Sequence, residues 1–116
     1  MLTRDLELFP EDETGQTLWE MLNQGCDLAQ AHEVEFSVIF TTEQQALSFG
    51  QLLLANNQKV SFSPFDQHAT HQFEITVYPT MPLNYNNITG YQALLESHAI
   101  EFSGLYDGWF CSATHL

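Results

Sequence analysis

Basic side chains are almost absent from this sequence of 116 residues, in which Arg4 and Lys59 are outnumbered by fifteen acidic residues and the formal net charge is −13. Nucleic-acid affinity comes largely from Lys and Arg that displace counterions, so direct nucleic-acid binding is excluded. Binding to an anionic membrane surface is disfavoured for the same reason. A field of this sign speeds encounter with cationic surfaces, and we therefore expect a basic partner.

Cysteines and long apolar runs are also scarce. Cys26 and Cys111 are too few for a disulfide framework, so we expect two thiols in a cytoplasmic protein. No apolar run approaches the ~20 residues of a membrane-spanning helix, and acidic residues interrupt the start of the chain, where a secretory signal is apolar. Hydrophobic residues make up 44% of the chain. We expect a single soluble domain over residues 1–116, with residues 1–8 less ordered than the rest.

Three helices are predicted from capping residues and apolar stripes. Asp12 is placed to cap the first helix, and Gly25 is placed to end it. A capping-box spacing predicts that the second helix starts near Thr42, and Asn86 or Asn87 caps the third. The apolar stripes of the second and third helices contain Ala46, Phe49, Gly50, Leu53 and Leu54, and Ile88, Tyr91, Leu94 and Leu95.

Four strands accompany these helices. Alternating apolar residues predict strands over residues 33–41, 59–63, 72–78 and 104–111. Pro79 and Pro82 bracket a loop, because proline does not donate to a central ladder. The order after the first helix predicts an α+β ferredoxin-like sandwich (βαββαβ), with an antiparallel four-stranded sheet and helices on one face. In that topology the first and third strands are central neighbours.

The open face of this sheet is predicted to be acidic. Alternation places Phe36, Phe62 and Phe73 on the core face, whereas Glu33, Glu35, Glu74 and Tyr78 collect on the opposite face. RNA recognition by such a sheet uses exposed aromatic side chains that stack on bases. The alternation therefore excludes an RNA-recognition function.

Several segments between residues 9 and 111, including FPEDETGQTLWEML, EVEFSVIF and FEITVYPTMPLNYNNIT, follow the pattern of a known family. The most specific pieces are DETG at residues 12–15 and YDGW at residues 106–109. Over nearly its whole length the chain resembles the RraB family, the regulators of ribonuclease E activity B. The resemblance implies a ferredoxin-like domain without cofactor or catalytic residues, which binds the regulatory part of ribonuclease E and restrains RNA decay.

The candidate partner-binding residues are acidic and aromatic, because carboxylates pair with guanidinium groups and a buried aromatic anchor supplies affinity. They are Glu33, Glu35 and Glu74 on the sheet face, Glu11, Asp12, Glu13 and Asp107 as a second acidic rim, and Tyr106 and Trp109 as anchors. Residues 107–109 have two interpretations. Either Gly108 forms a bulge and Trp109 closes the edge of the core, or Trp109 is an exposed binding aromatic. The acids at 11–13 are equally explained as a cap with solvated charges.

Two other functions compete with ribonuclease E inhibition. An immunity-type inhibitor of a basic nuclease toxin fits the same charge. A metal-dependent or thiol enzyme would use His68, His71 and Cys111, but zinc sites usually take a third protein ligand, which only a folded-back C-terminus with His115 would supply. No nucleophile elbow and no Gly-rich phosphate loop is present in the sequence. We therefore expect no catalytic site, metal or cofactor.

Overall fold

The computed structural model describes residues 3–111. Its elements are α1 (Glu13–Asn23), β1 (Ala31–Glu33), β2 (Glu35–Phe40), α2 (Glu43–Ala55), β3 (Val60–Pro64), β4 (Phe73–Val77), β5 (Thr80–Pro82), α3 (Tyr85–Ala99), a 3₁₀ turn (Ile100–Phe102) and β6 (Leu105–Phe110). The described residues form an α+β structure with three helices and two antiparallel sheets. The predicted α+β class is confirmed.

The larger sheet has the strand order β3-β4-β2-β6, with every neighbouring pair antiparallel. The two central strands, β2 and β4, are the first and third strands of the predicted order. At the middle of the sheet Val38 lies opposite Ile75 in β4 and Tyr106 in β6. The register between β2 and β6 shifts between Ser37 and Val38, which marks a β-bulge. The outer strands β3 and β6 form the two edges.

A second, two-stranded sheet was not predicted. Its strands are β1 and β5, and Glu33 lies opposite Thr80. The predicted continuous strand over residues 33–41 is therefore wrong at its start, and the loop between Pro79 and Pro82 contains a strand. The break lies at Val34, whose backbone N–H donates to the carbonyl of Pro79 over 2.8 Å. Pro79 has no N–H of its own, so the main ladder ends there and a separate pair begins.

Local capping chemistry fixes the helix starts. Asp12 and Thr42 cap α1 and α2 as predicted, since each side chain accepts a backbone N–H at the start of its helix. Gly25, just past α1, has φ of 92°, a conformation that glycine adopts without strain. The predicted cap of α3 is wrong, because Asn84 caps it and accepts from the N–H of Asn87 at 2.8 Å.

The core lies between the larger sheet and the two helices α2 and α3, which cover the same face. The ring of Phe36 lies 4.8 Å from that of Tyr91 in α3, and the ring of Phe40 lies 5.3 Å from that of Phe49 in α2. In each of the apolar stripes predicted for α2 and α3, one residue is wrongly assigned to the buried face. Leu54 and Leu94 are exposed at 56% and 51%, because each lies at the flank of its helix's buried face. Phe62 was predicted on the core face but is 38% exposed, because it lies in the edge strand β3.

Residues 3–8, expected to be less ordered, are tied to α1 by Arg4. Its guanidinium group donates to the carbonyl oxygens of Phe9 (3.0 Å) and Pro10 (2.7 Å) and to Oε1 of Gln16 (2.6 Å). Phe9 is buried and packs against Trp19 with their ring centroids 5.4 Å apart. This anchoring fixes the N-terminal end of α1. Between residues 3 and 111 no helix combines the length and the apolar character needed to cross a membrane.

Candidate partner-binding site

A cleft of about 740 Å³ lies where the start of α1, the first half of α3 and strand β6 meet. Its ionisable carboxylates are those of Asp12, Glu13, Glu35 and Asp107, and among the described residues that line it none is basic. The aromatic side chains of its lining are Tyr85, Tyr106, Trp109 and Phe110. We call this feature the acidic cleft. It brings together six of the nine predicted contact residues, and they come from parts of the chain that are far apart in sequence.

Asp12 joins two walls of the acidic cleft. One carboxylate oxygen accepts the N–H of Gly15 at 2.8 Å and so caps α1, while the other accepts the hydroxyl of Tyr85 at the start of α3. The hydrogen bond from Tyr85, followed by that from Gly15, lowers the pKa of Asp12 below 3.8. The same bond raises the pKa of Tyr85. Asp12 is thus held in its charged form while it fixes the position of α1 against α3.

Position 15, in the DETG segment, requires a glycine for steric reasons. A Cβ atom at Gly15 would lie 2.7 Å from the backbone nitrogen of Pro10 and 2.8 Å from its carbonyl carbon, far inside van der Waals contact. Only a glycine lets the turn before α1 fold back this closely on the helix. The cap residue Asp12 and Gly15 therefore form one local unit, which sets the position of Glu13 at the rim of the cleft.

The glycine of the YDGW segment produces the bulge in β6. Gly108 has φ of 125°, outside the range that other residues adopt readily. Because Gly108 lies opposite Ser37 and Tyr106 lies opposite Val38, Asp107 is the extra residue of the bulge. Asp107 is exposed and its side chain lines the cleft. The bulge thus displays a carboxylate at the edge of the sheet.

Tyr106 carries a buried polar atom that no other described residue satisfies. Its hydroxyl oxygen has no hydrogen-bond partner within residues 3–111. Burial raises the pKa of Tyr106, and the nearby carboxylates of Glu96, Glu13 and Asp107 raise it further. The hydroxyl of Tyr106 is therefore neutral and buried near negative charge, without a hydrogen-bond partner among the described residues.

Trp109 follows the bulge and is half-buried. It lies opposite Phe36 in β2, packs against the hydrophobic core and also lines the acidic cleft. The interpretation in which Gly108 forms a bulge and Trp109 closes the edge of the core agrees with this structure. One part of the indole is thereby fixed by packing, while another part faces the cleft.

The remaining predicted acids lie elsewhere. Glu33 belongs to the small sheet, and its carboxylate pairs with Nζ of Lys59 at 3.0 Å. Glu74 lies in β4, half-buried, and accepts the hydroxyl of Ser63 at 3.3 Å. Glu11 is exposed, but it does not line the cleft. We expected Glu33, Glu35 and Glu74 to share one open sheet face. This expectation is wrong for Glu33, because the strand is interrupted at Val34 and Glu33 belongs to the small sheet.

Sequence reasoning missed Tyr85, whose hydroxyl reaches Asp12 across 73 residues of chain. The one available signal was the cap of α3. Had Asn84 been recognised as the cap through its spacing to Asn87, Tyr85 would have been placed at the first helical position. Nothing in the sequence shows that this position faces α1.

The loop between β3 and β4, which contains His68 and His71, is held together by its own hydrogen bonds. Nδ1 of His68 accepts the backbone N–H groups of Thr70 (3.2 Å) and His71 (3.1 Å), and the hydroxyl of Thr70 lies 2.9 Å from Nδ1 of His71. In the part of the chain that the structure describes, no three His, Cys, Asp or Glu residues are placed to hold a metal ion. Cys111 lies apart from this loop, with its thiol directed at the carbonyl of Glu33. His115 lies outside the described residues.

Both glycine motifs and the cleft that they shape fall inside one family match. The family model described as "RraB: Regulator of ribonuclease activity B" matches residues 11–111 of the 116. The chain belongs to the RraB family. The RraB description indicates a regulatory role toward a ribonuclease and gives no support to the immunity-type alternative. A search of curated proteins found no match.

Proposed function

We propose that this RraB-family chain binds a basic segment in the non-catalytic region of ribonuclease E and inhibits the enzyme, which slows RNA decay. The observation that supports this proposal is the acidic cleft, in which Asp12, Glu13, Glu35 and Asp107 converge and no described lining residue is basic. Carboxylates bind guanidinium groups through paired, charge-assisted hydrogen bonds. An arginine-rich segment is therefore the partner that this site fits best.

The aromatic lining supplies the affinity that exposed charges do not. Tyr106 and Trp109 are half-buried and held by packing against the core, so binding costs them little conformational entropy. A guanidinium group that pairs with Asp107 also lies within reach of these rings, over which it is attracted by the ring electrons. Glu11, Glu33 and Glu74 lie outside the cleft and act through the long-range field.

The chain acts in this proposal by occupying a surface of the enzyme, without catalysis, cofactor, nucleic acid or membrane. Its partner is a cytoplasmic enzyme, so the chain is cytoplasmic as well. We also propose that the chain is one domain with the topology of a ferredoxin-like sandwich. The strand order β3-β4-β2-β6, with α2 and α3 on one face, supports this topology. The small β1–β5 sheet is an addition to it.

Titration against the non-catalytic region of ribonuclease E tests the proposal. We expect binding at about 20 mM salt that weakens strongly by about 200 mM, because exposed charges are screened over this range. The complex should also reduce cleavage of an RNA substrate by full-length ribonuclease E. Absence of binding at low salt would overturn the proposed function.

A pair of double variants distinguishes the effect of the cleft carboxylates on affinity from the effect of the overall net charge. Glu35→Gln with Asp107→Asn neutralises two carboxylates of the cleft, whereas Glu43→Gln with Glu101→Gln neutralises two exposed carboxylates outside it. Both variants have the same net charge. We expect affinity to fall roughly tenfold in the first and less than about twofold in the second. Equal losses would mean that only the net charge matters.

A further inference from the structure

Strand β6 is an edge of the larger sheet and also a wall of the acidic cleft. Among the described residues it pairs with β2 and with no other strand. All five consecutive residues from 106 to 110 line the cleft. Successive side chains of a strand point to opposite faces, and the bulge at Asp107 breaks this alternation only once, so a cleft that touches all five residues follows the edge of the strand. The outward backbone N–H and C=O groups of β6 therefore border the acidic cleft.

This edge has the apolar contacts that a neighbouring strand would need. Phe110 and Leu105 at the two ends of β6 are 60% and 45% exposed. Between them lies the exposed carboxylate of Asp107. Unpaired edge strands accept an added strand unless charge, a proline or a bulge discourages it, and β6 has no proline and no basic residue but does have the bulge at Asp107. On β6 the side-chain charge is negative, so it repels acidic segments and attracts basic ones.

Resting on the proposed function, we infer that the ribonuclease segment docks as an extended strand that pairs with the free edge of β6 and places its arginine side chains in the acidic cleft. Strand addition supplies main-chain hydrogen bonds, and the alternating side chains supply specificity. A second copy of this chain does not fit the site, because it would bring another Asp107 and a net charge of −13 against the same acidic rim.

Amide hydrogen exchange in the complex with the non-catalytic region of ribonuclease E tests this geometry. We expect alternate backbone amides of residues 105–110 to exchange at least about tenfold more slowly in the complex, because strand addition protects the outward N–H groups. The amides of residues 60–63, on the opposite edge of the sheet, serve as the control and should not change. Binding without added protection in β6 would overturn the inference and leave the proposed function standing.

A chemically altered partner gives the second test and needs no variant of this chain. The shortest fragment of the ribonuclease region that still binds is synthesised with N-methyl groups on alternate residues, in both possible phases. Each phase keeps the charge, but one phase removes the N–H groups that pair with β6. We expect roughly a tenfold loss of affinity in one phase and less than about threefold in the other. Equal effects of the two phases would overturn strand addition.

Discussion

The strands β3 and β6 form the two edges of the four-stranded sheet, and they differ in what stands beside the exposed backbone. β3 ends in Pro64, which has no N–H to offer, and Lys59 precedes it. Both residues are devices that discourage strand addition in general. β6 has a bulge with an outward carboxylate at Asp107, and Phe110 beside it is exposed. The edge at β3 is therefore protected by a proline and a lysine, whereas the edge at β6 is interrupted by a bulge and carries negative charge.

The two edges also differ in how firmly their aromatic residues are held, and this gives the largest expected effect. Trp109 of β6 is half-buried against the core, while Phe62 of β3 is 38% exposed and stacks on the ring of Phe73. We expect Trp109→Ala to lower the free energy of unfolding by about 2–4 kcal/mol and Phe62→Ala by about 1 kcal/mol. Urea denaturation measures both. Similar losses would show that Trp109 is not part of the rigid wall of the cleft.

A second test concerns the backbone that positions Glu13 at the cleft. In Gly15→Ala the new methyl group would overlap the backbone of Pro10, so we expect a loss of about 1–3 kcal/mol. Gly90 is the matched control, since it also lies in a helix but a Cβ atom there would meet nothing within 4 Å. Gly90→Ala should raise stability by about 0.5–1 kcal/mol. Thermal unfolding measures the stability of both variants. A Gly15→Ala variant as stable as the wild type would contradict the close packing of Gly15 against Pro10.

The smallest expected effect is a pH dependence of the stability that the hydrogen bond between Tyr85 and Asp12 provides at the cleft beside β6. The bond from Tyr85 helps to lower the pKa of Asp12 below 3.8, so its stabilisation is complete above about pH 4 and is lost as the pH falls through the lower folded value. The stability difference between the wild type and Tyr85→Phe should therefore shrink below about pH 3.8. Tyr78, near β3, bonds to the hydroxyl of Ser61 at 2.7 Å. The difference in stability between the wild type and Tyr78→Phe should not change over the same pH range. The same pH dependence in both variants would contradict a contribution from the Asp12 carboxylate.

Local chemistry made much of this fold predictable. The caps at Asp12 and Thr42 and the stop at Gly25 depend on residues within one turn of each other, and the structure has all three. Alternation of apolar residues located the strands of the larger sheet and the inward face of β2, because α2 and α3 bury that face and leave a period of two in the sequence. The predicted order of elements followed from these local signals.

Contacts between distant segments were not predictable in the same way. The small sheet joins residues 31–33 to residues 80–82, and neither segment alternates for long enough to be recognised. The cleft depends on Asp12 meeting Tyr85 and on the bulge that displays Asp107, both of which need the assembled fold. Four of the predicted carboxylates line one cleft, those of Asp12, Glu13, Glu35 and Asp107. Glu33 was misplaced because β1 and β2 are separated at Val34, a break that depends on contacts with residues 79–82.

The scarcity of basic residues has a practical consequence at Lys59. A trypsin-like protease finds only two cleavable bonds in this chain, after Arg4 and after Lys59. The second bond, after Lys59, lies at the start of the edge strand β3, and the lysine side chain is 67% exposed. Its cleavage requires that β3 leave the sheet for a moment. The rate of a single proteolytic cut therefore measures how often this edge of the molecule opens, without any label or engineered site.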